Sequence, residues 1–170
     1  MGASAAALII GGSLRTAMAA AARAAYPEEC CGLLVGRYLP ADGAGTGARW
    51  QVTRVVPAAN RHPQPRRHFE VDPVTHIALL RQLREREAAE GEIEILLGHY
   101  HSHPEAAALP SASDLAQAND PTLIWVIIGP VQGGAPDVTA WRVIPRPAGP
   151  AGFEPLPFAA ATEQGAVKNA

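Results

Sequence analysis

The sequence holds only two cysteines, Cys30 and Cys31, and they are adjacent. Neighbouring residues rarely reach disulfide geometry without strain, so no disulfide framework is implied, and a reducing cytoplasm is the simplest compartment. Long apolar runs are also missing. No stretch reaches the roughly 18 to 20 apolar residues that a membrane-spanning helix needs. The apolar run at 3–12 is short and has no basic region before it, so it reads as a first strand rather than a signal peptide. Charge of one sign is lacking too: 14 Lys and Arg against 16 Asp and Glu leave a formal −2. Such a balance gives no general pull toward nucleic acid or anionic membrane. The local basic cluster Arg61, Arg66 and Arg67, near His62 and His68, reads as a solvated loop. Internal repeats and interdomain linkers are absent as well.

What is present fits one α/β domain. A chain of 170 residues is long enough to bury a real core, and 48% hydrophobic residues is ordinary for a globular protein. A short apolar strand at 6–11 precedes an Ala-rich helix at 14–25, with Ser13 as the expected N-cap and Pro27 as the stop. Strands at 32–38 and 50–57 flank a Gly-rich loop at 40–47, the pattern of a hairpin. Residues 60–72 are polar and basic, the composition of a surface loop. Val74, Ile77, Leu80 and Leu83 then recur at helical spacing over 73–90, with Asp72 as N-cap and Gly91 as the stop. Apolar strands follow at 93–100, 122–128 and 138–144. From residue 145 prolines, glycines and alanines dominate. The expected organisation is a domain over 1–150 and a partly disordered Pro/Ala-rich tail over 151–170, frayed from residue 162.

The chemistry concentrates in Gly98-His99-Tyr100-His101-Ser102-His103-Pro104, followed by Pro110-Ser111-Ala112-Ser113-Asp114. Alternate side chains on an extended segment share a face, so His101 and His103 can offer two imidazole nitrogens to one ion. Asp114 adds an anionic third ligand. Three such ligands leave tetrahedral Zn²⁺ an open position for water, the pattern of a catalytic rather than a structural site. His99 has the same parity, but three successive same-face positions span roughly 13 Å, too far for one ion without a sharp bend. Cys30 and Cys31 remain alternative thiolate ligands. Ser111 is placed to cap a short helix, with Asp114 at its third position, and its hydroxyl can also donate to an oxyanion. Hydrolysis further needs a proton carrier. Glu28 and Glu29 are the upstream candidates, and residue type alone does not choose between them.

The spacing Glu29-x-Cys31-Gly32, then His101-x-His103, seven residues, Ser111, two residues, Asp114 resembles the JAMM (MPN+) metalloprotease family. The resemblance covers about residues 6–144, and every motif position is filled. It implies a single JAMM/MPN domain with a mixed, curved sheet flanked by helices. It also implies His101, His103 and Asp114 as zinc ligands, Glu29 as general acid/base, Ser111 as the residue that steadies the tetrahedral intermediate, and Cys31 as structural. A complete motif disfavours the catalytically silent branch of that fold.

The same resemblance implies a substrate. Family members cleave after the C-terminal tail of ubiquitin-like or sulfur-carrier β-grasp proteins, and such a tail can add as a strand beside an exposed sheet edge. The loop at 60–69 falls where the family places a substrate-contacting segment. Only a few residues separate Asp114 from the next strand, so the second insertion of chain-specific relatives is missing, as in a compact prokaryotic enzyme. A non-catalytic binding module for a β-grasp protein, or a zinc hydrolase acting on another small peptide, is the rival reading.

Overall fold

Eight strands and three helices are arranged in the computed structural model, which describes residues 6–41, 47–90, 93–145 and 152–160. The chain runs β1 (Ala7–Ile10), α1 (Gly12–Ala25), β2 (Cys31–Leu39), β3 (Arg49–Ala58), α2 (Pro73–Glu90) and β4 (Ile95–Ser102). It continues through α3 (Ala112–Gln117), β5 (Ile124–Gly129), β6 (Asp137–Ile144), β7 (Gly152–Pro155) and β8 (Phe158–Ala159). The strands form one mixed sheet in the order β7-β6-β5-β4-β2-β3-β1-β8. The expected β2–β3 hairpin is antiparallel, whereas β4 and β5 run parallel, joined by the crossover that carries α3. No helix among the described residues is long and apolar enough to cross a membrane.

Each face of the sheet is covered by a different helix. On one face Leu8, Ile10, Leu34, Val126 and Ile128 bury against Met18 of α1. On the other, Leu33 and Val35 meet Leu79 and Leu83 of α2. Beside them on the α2 face, Cys31, Trp125 and Val143 cluster with Phe69 and Ala118. Residues 73–90 do form a helix, but the expected apolar stripe is corrected: Val74, Ile77 and Leu80 are exposed, and the helix meets the sheet through Leu79 and Leu83. Its N-terminus is held as expected, because Asp72 Oδ2 accepts bonds from the Thr75 amide and hydroxyl at 3.0 and 2.8 Å. The expected stop at Gly91 lies outside the described residues.

Two other local expectations are corrected. The N-cap of α1 is Gly11, not Ser13, and no side chain caps it: the helix starts one residue before Ser13, so the serine falls within its first turn. Sheet pairing also extends beyond residue 150. β7 pairs with β6 and β8 pairs with β1, so residues 152–159 close both edges rather than trailing off as a tail. Gly152 and Leu156 are buried there, and the Leu156 amide donates to Ala140 O at 2.8 Å. Four- and two-residue strands are too short to show an alternation above a Pro/Ala-rich background. The fraying expected from residue 162 lies outside the described residues.

A bulge in β4 sets up the site. Leu34 pairs with Gly98 but Val35 with Leu96, which leaves Leu97 as the extra residue. One inserted residue reverses the in–out alternation beyond it. Leu97 and Tyr100 therefore both enter the α1-side core, while His99 and His101 face Phe69 and Trp125. Gly98 permits this kink. Its φ is +157°, and a Cβ there would run into the carbonyl oxygen of Ile124.

Candidate metal centre and active site

His101 closes β4 from within the sheet, and His103 follows one residue beyond its end. The end of the strand is pinned on both sides. Ser102 N donates to Cys30 O at 3.1 Å, Cys30 N donates back to Ser102 Oγ at 2.8 Å, and His103 N donates to Ile128 O at 2.7 Å. Gly129 lets the segment after His103 lie close, since a Cβ there would sit 2.6 Å from the carbonyl oxygens of His103 and Ala106.

Asp114 arrives from α3, whose first turn is a reciprocal capping box. Asp114 N donates to Ser111 Oγ at 3.2 Å, and Ser111 N donates to Asp114 Oδ2 at 2.6 Å. The cap foreseen in the sequence thus also orients the carboxylate. His101 Nε2 lies 3.2 Å from Asp114 Oδ1, His103 Nε2 lies 3.4 Å from Asp114 Oδ2, and the two Nε2 atoms are 3.1 Å apart. Four tetrahedral ligands at about 2.0–2.1 Å from an ion stand roughly 3.3–3.4 Å from each other. The three side chains thus have close to the separation that one small cation would impose.

The His103 tautomer favours the same reading. His103 Nδ1 is 3.0 Å from the carbonyl oxygen of Ala107, which can only accept, so that nitrogen carries the proton and Nε2 presents its lone pair inward. His101, Asp114 and His103 are all buried. Burial pushes the His101 pKa down, so its ring stays neutral. Burial alone would also lower His103, but the Asp114 carboxylate and the Ala107 carbonyl beside it raise it above the ordinary value. Asp114 is held far below the usual carboxylate range: burial opposes ionisation, yet the two imidazoles beside it and the hydrogen bond from Ser111 overcome it. Two inward-facing imidazoles against an ionised carboxylate are a donor set that fits a divalent ion.

Among the described residues, the His/Cys/Asp/Glu group able to hold a metal is His101, His103 and Asp114. Neither alternative ligand set joins it. His99 packs edge-on to Trp125, with ring centroids 4.1 Å apart, and desolvation pushes its pKa down to about 3. Cys31 points its sulfur at the carbonyls of Ala58 and Ala59, each 3.7 Å away, and burial lifts its pKa to about 12. Burial likewise raises the Cys30 thiol.

The two glutamates differ sharply. Glu28 is exposed, whereas Glu29 is 6% exposed and lines a cleft of about 360 Å³ with His103, Ser111, Arg66 and Arg67. Burial raises the Glu29 pKa to about 7, with His103 lowering it and Asp114 raising it. A carboxyl poised there can take and return a proton near neutral pH.

Several site-shaping residues were not identified from the sequence. Phe69 stacks on His101 with centroids 4.3 Å apart and planes 13° apart, and Trp125 meets the same ring edge-on at 6.0 Å. Asn60 ties the basic loop to the site: its Nδ2 donates to Glu29 O at 3.0 Å and to His68 O at 2.9 Å. The loop read as merely solvated is therefore anchored to the backbone of Glu29. Its polar, extended composition carries no signal of that attachment. The sheet edges, β7 and β8, lie three and four strands away from β4. The nearby extended chain is the 60–71 loop, closed by an isolated bridge between Asn60 and Val71.

A mixed α/β sheet whose central strand leads into a His-x-His pair, completed by a helix-borne Asp, defines an α/β fold carrying a three-residue group compatible with a metal ion. Residues 12–144 match the family of prokaryotic homologs of the JAB domain, and the chain belongs to it. It is 35% identical over 104 residues to a desampylase from Haloferax volcanii, covering 61% of this chain and 64% of that one. It is 43% identical over 83 residues to a probable TtuB-protein conjugate cleaving protease from Thermus thermophilus, covering 48% and 52%. The chain thus matches less than two thirds of either relative's length. A solution structure of a Desulfitobacterium hafniense protein is similar over 94% of both chains, at 30% identity and a TM-score of 0.70.

Proposed function

We propose that this protein hydrolyses the peptide or isopeptide bond that follows the C-terminal Gly-Gly tail of a ubiquitin-like or sulfur-carrier β-grasp protein. The observation that carries the reading is the convergence of buried Glu29, its pKa raised to about 7, on the same cleft as Ser111 and His103 of the His101–His103–Asp114 group. The two named relatives, a desampylase and a conjugate-cleaving protease, support the coarse reaction.

Zinc held by His101, His103 and Asp114 would supply a water with a pKa near 7 and a Lewis acid for the substrate carbonyl. Glu29 takes the proton from the attacking water and returns it to the departing nitrogen, so the amine leaves neutral. Ser111 Oγ already accepts from Asp114 N, which leaves its hydroxyl proton free to donate to the carbonyl oxygen as charge develops there. His103 keeps its inward lone pair through the Ala107 carbonyl, and Phe69 holds the plane of His101.

Zinc content and cleavage of a β-grasp sulfur-carrier protein bearing a C-terminal extension, in wild type and Glu29→Gln, test this together. The expected result is one zinc per chain in both proteins and cleavage after the Gly-Gly, with turnover in the variant lower by about 10²–10⁴-fold. Zinc without cleavage in the wild type would leave a metal-containing binding module. Absence of zinc from protein purified without chelator would overturn the metal centre itself.

A further inference from the structure

Arg66 and Arg67 stand out beside a reactive carboxylate as charges with no carboxylate partner among the described residues. Both are exposed, and both line the cleft that holds Glu29 and Ser111. Arg61, on the same loop, behaves differently: its Nε bonds Asp72 Oδ1 at 2.9 Å and so secures α2. A free guanidinium on an ordinary surface needs no explanation. Two of them on the rim of a catalytic cleft, on a loop fixed in place, do.

The loop is fixed by its backbone and by its histidine. Glu29 N donates to Pro65 O at 2.7 Å, immediately before the two arginines. Asn60 Oδ1 accepts from the amides of His62 and Glu70, each at 3.0 Å, and holds both ends of the loop together. His68 Nδ1 lies 2.8 Å from Ser113 Oγ, which joins the loop to the first turn of α3 between Ser111 and Asp114. The arginines therefore start from a rigid platform set relative to the catalytic glutamate, and ordering the loop adds no cost when a ligand arrives.

We propose that Arg66 and Arg67 recognise a carboxylate on the residue that follows the scissile bond, so the protein favours tails extended by one amino acid or a short acidic peptide over tails joined to a lysine side chain. The inference rests on the hydrolytic reading above. A planar guanidinium matches a carboxylate through two parallel hydrogen bonds, and such charge-assisted pairs are the strong ones. The free carboxylate of a single leaving residue sits only two bonds from the scissile nitrogen, within the reach of a rim around a cleft this small. An isopeptide offers no carboxylate so close to the leaving nitrogen, so the two positive charges meet no partner there. Carboxylates already in the cleft do not occupy the arginines: Glu29 faces His103 and Asp114, and Glu105 Oε1 accepts from Tyr26 Oη at 3.2 Å.

Four probes on one β-grasp sulfur-carrier protein test this. Its Gly-Gly tail is extended by alanine with a free acid, by alanine carboxamide, by aspartate carboxamide, or by the ε-amine of Nα-acetyl-lysine carboxamide. Cleavage is measured for zinc-loaded wild type and Arg66→Gln/Arg67→Gln, and binding of each probe for zinc-loaded Glu29→Gln with and without the arginine pair. The free acid is expected to exceed the alanine amide by roughly 10- to 100-fold in kcat/KM and affinity, with the advantage abolished in the double variant and the amide unaffected. Rescue by aspartate carboxamide would assign the recognition to side-chain as well as terminal carboxylates. An acid preference that survives the double variant, no preference at all, or an equal loss on every probe would overturn the proposal. Should the wild type cleave none of the probes, the hydrolytic reading fails, and the binding series alone decides the arginines' role.

Discussion

The two faces of the central strands are built to opposite rules. On the α1 face, Leu34, Tyr100, Val126 and Ile128 are at most 1% exposed and pack with Met18 and Ala22 into a largely apolar core. On the other face, near the ends of the same strands, Glu29, His101, His103 and Asp114 are buried polar groups whose pKa values are all displaced. The first face stabilises the fold by removing apolar surface from water. The second gives up some of that stabilisation to hold groups in reactive states. Because neighbouring residues in a strand point to opposite sides, one rigid backbone serves both.

Substitutions on the two faces should separate these roles. Leu34→Ala on the α1 side is expected to cost about 2–5 kcal/mol in urea denaturation, leaving metal affinity of the folded protein unchanged. Phe69→Leu on the site side should cost less, under about 1.5 kcal/mol, because volume is nearly kept. It should nonetheless weaken metal binding by roughly tenfold, read by competition with a chromophoric chelator, because the flat support under His101 is gone. Equal effects on stability and metal affinity in both variants would erase the distinction between the faces.

Smaller effects follow from the titrating groups. The folded Glu29 pKa is raised to about 7 from an ordinary 4.5, so the native state holds a proton that the unfolded chain releases. Stability of the metal-free protein should therefore fall as pH rises from about 4.5 to 7. Metal-free Glu29→Gln should then melt above metal-free wild type at pH 8, with the gap narrowing toward pH 4.5. Asp72 gives the opposite sign. Hydrogen bonds from Thr75 and Arg61 lower its pKa, so its contribution is present above the unfolded value and lost as pH falls through the lower folded one. Asp72→Asn should flatten the loss of stability below about pH 4, measured by thermal melts across that range.

The site was legible where chemistry is local. His101 and His103 share a face through strand period, and Ser111 and Asp114 meet through the first turn of one helix, so short spacings suffice to pair them. Glu29 was not separable from Glu28 on residue type, and its assignment needed the family pattern. Burial at one position and exposure at the other is a tertiary property. The aromatic support of His101 was out of reach for the same reason: Phe69 and Trp125 come from segments 32 residues before and 24 after it, and nothing local links them. The β7 and β8 edges were missed because strands this short take their form from the partners they join.

By itself, then, the sequence determined most of the helix and strand alternation, the spacing of the candidate metal ligands and the capping of Asp114, since each depends on residues a few positions apart. Tertiary structure alone decided the Leu97–Gly98 bulge that turns His101 toward Phe69, the closing of both sheet edges, and the docking of the 60–72 loop on Glu29. Those outcomes depend on register and on hydrogen bonds between distant segments. Only the packed chain brings such partners within reach.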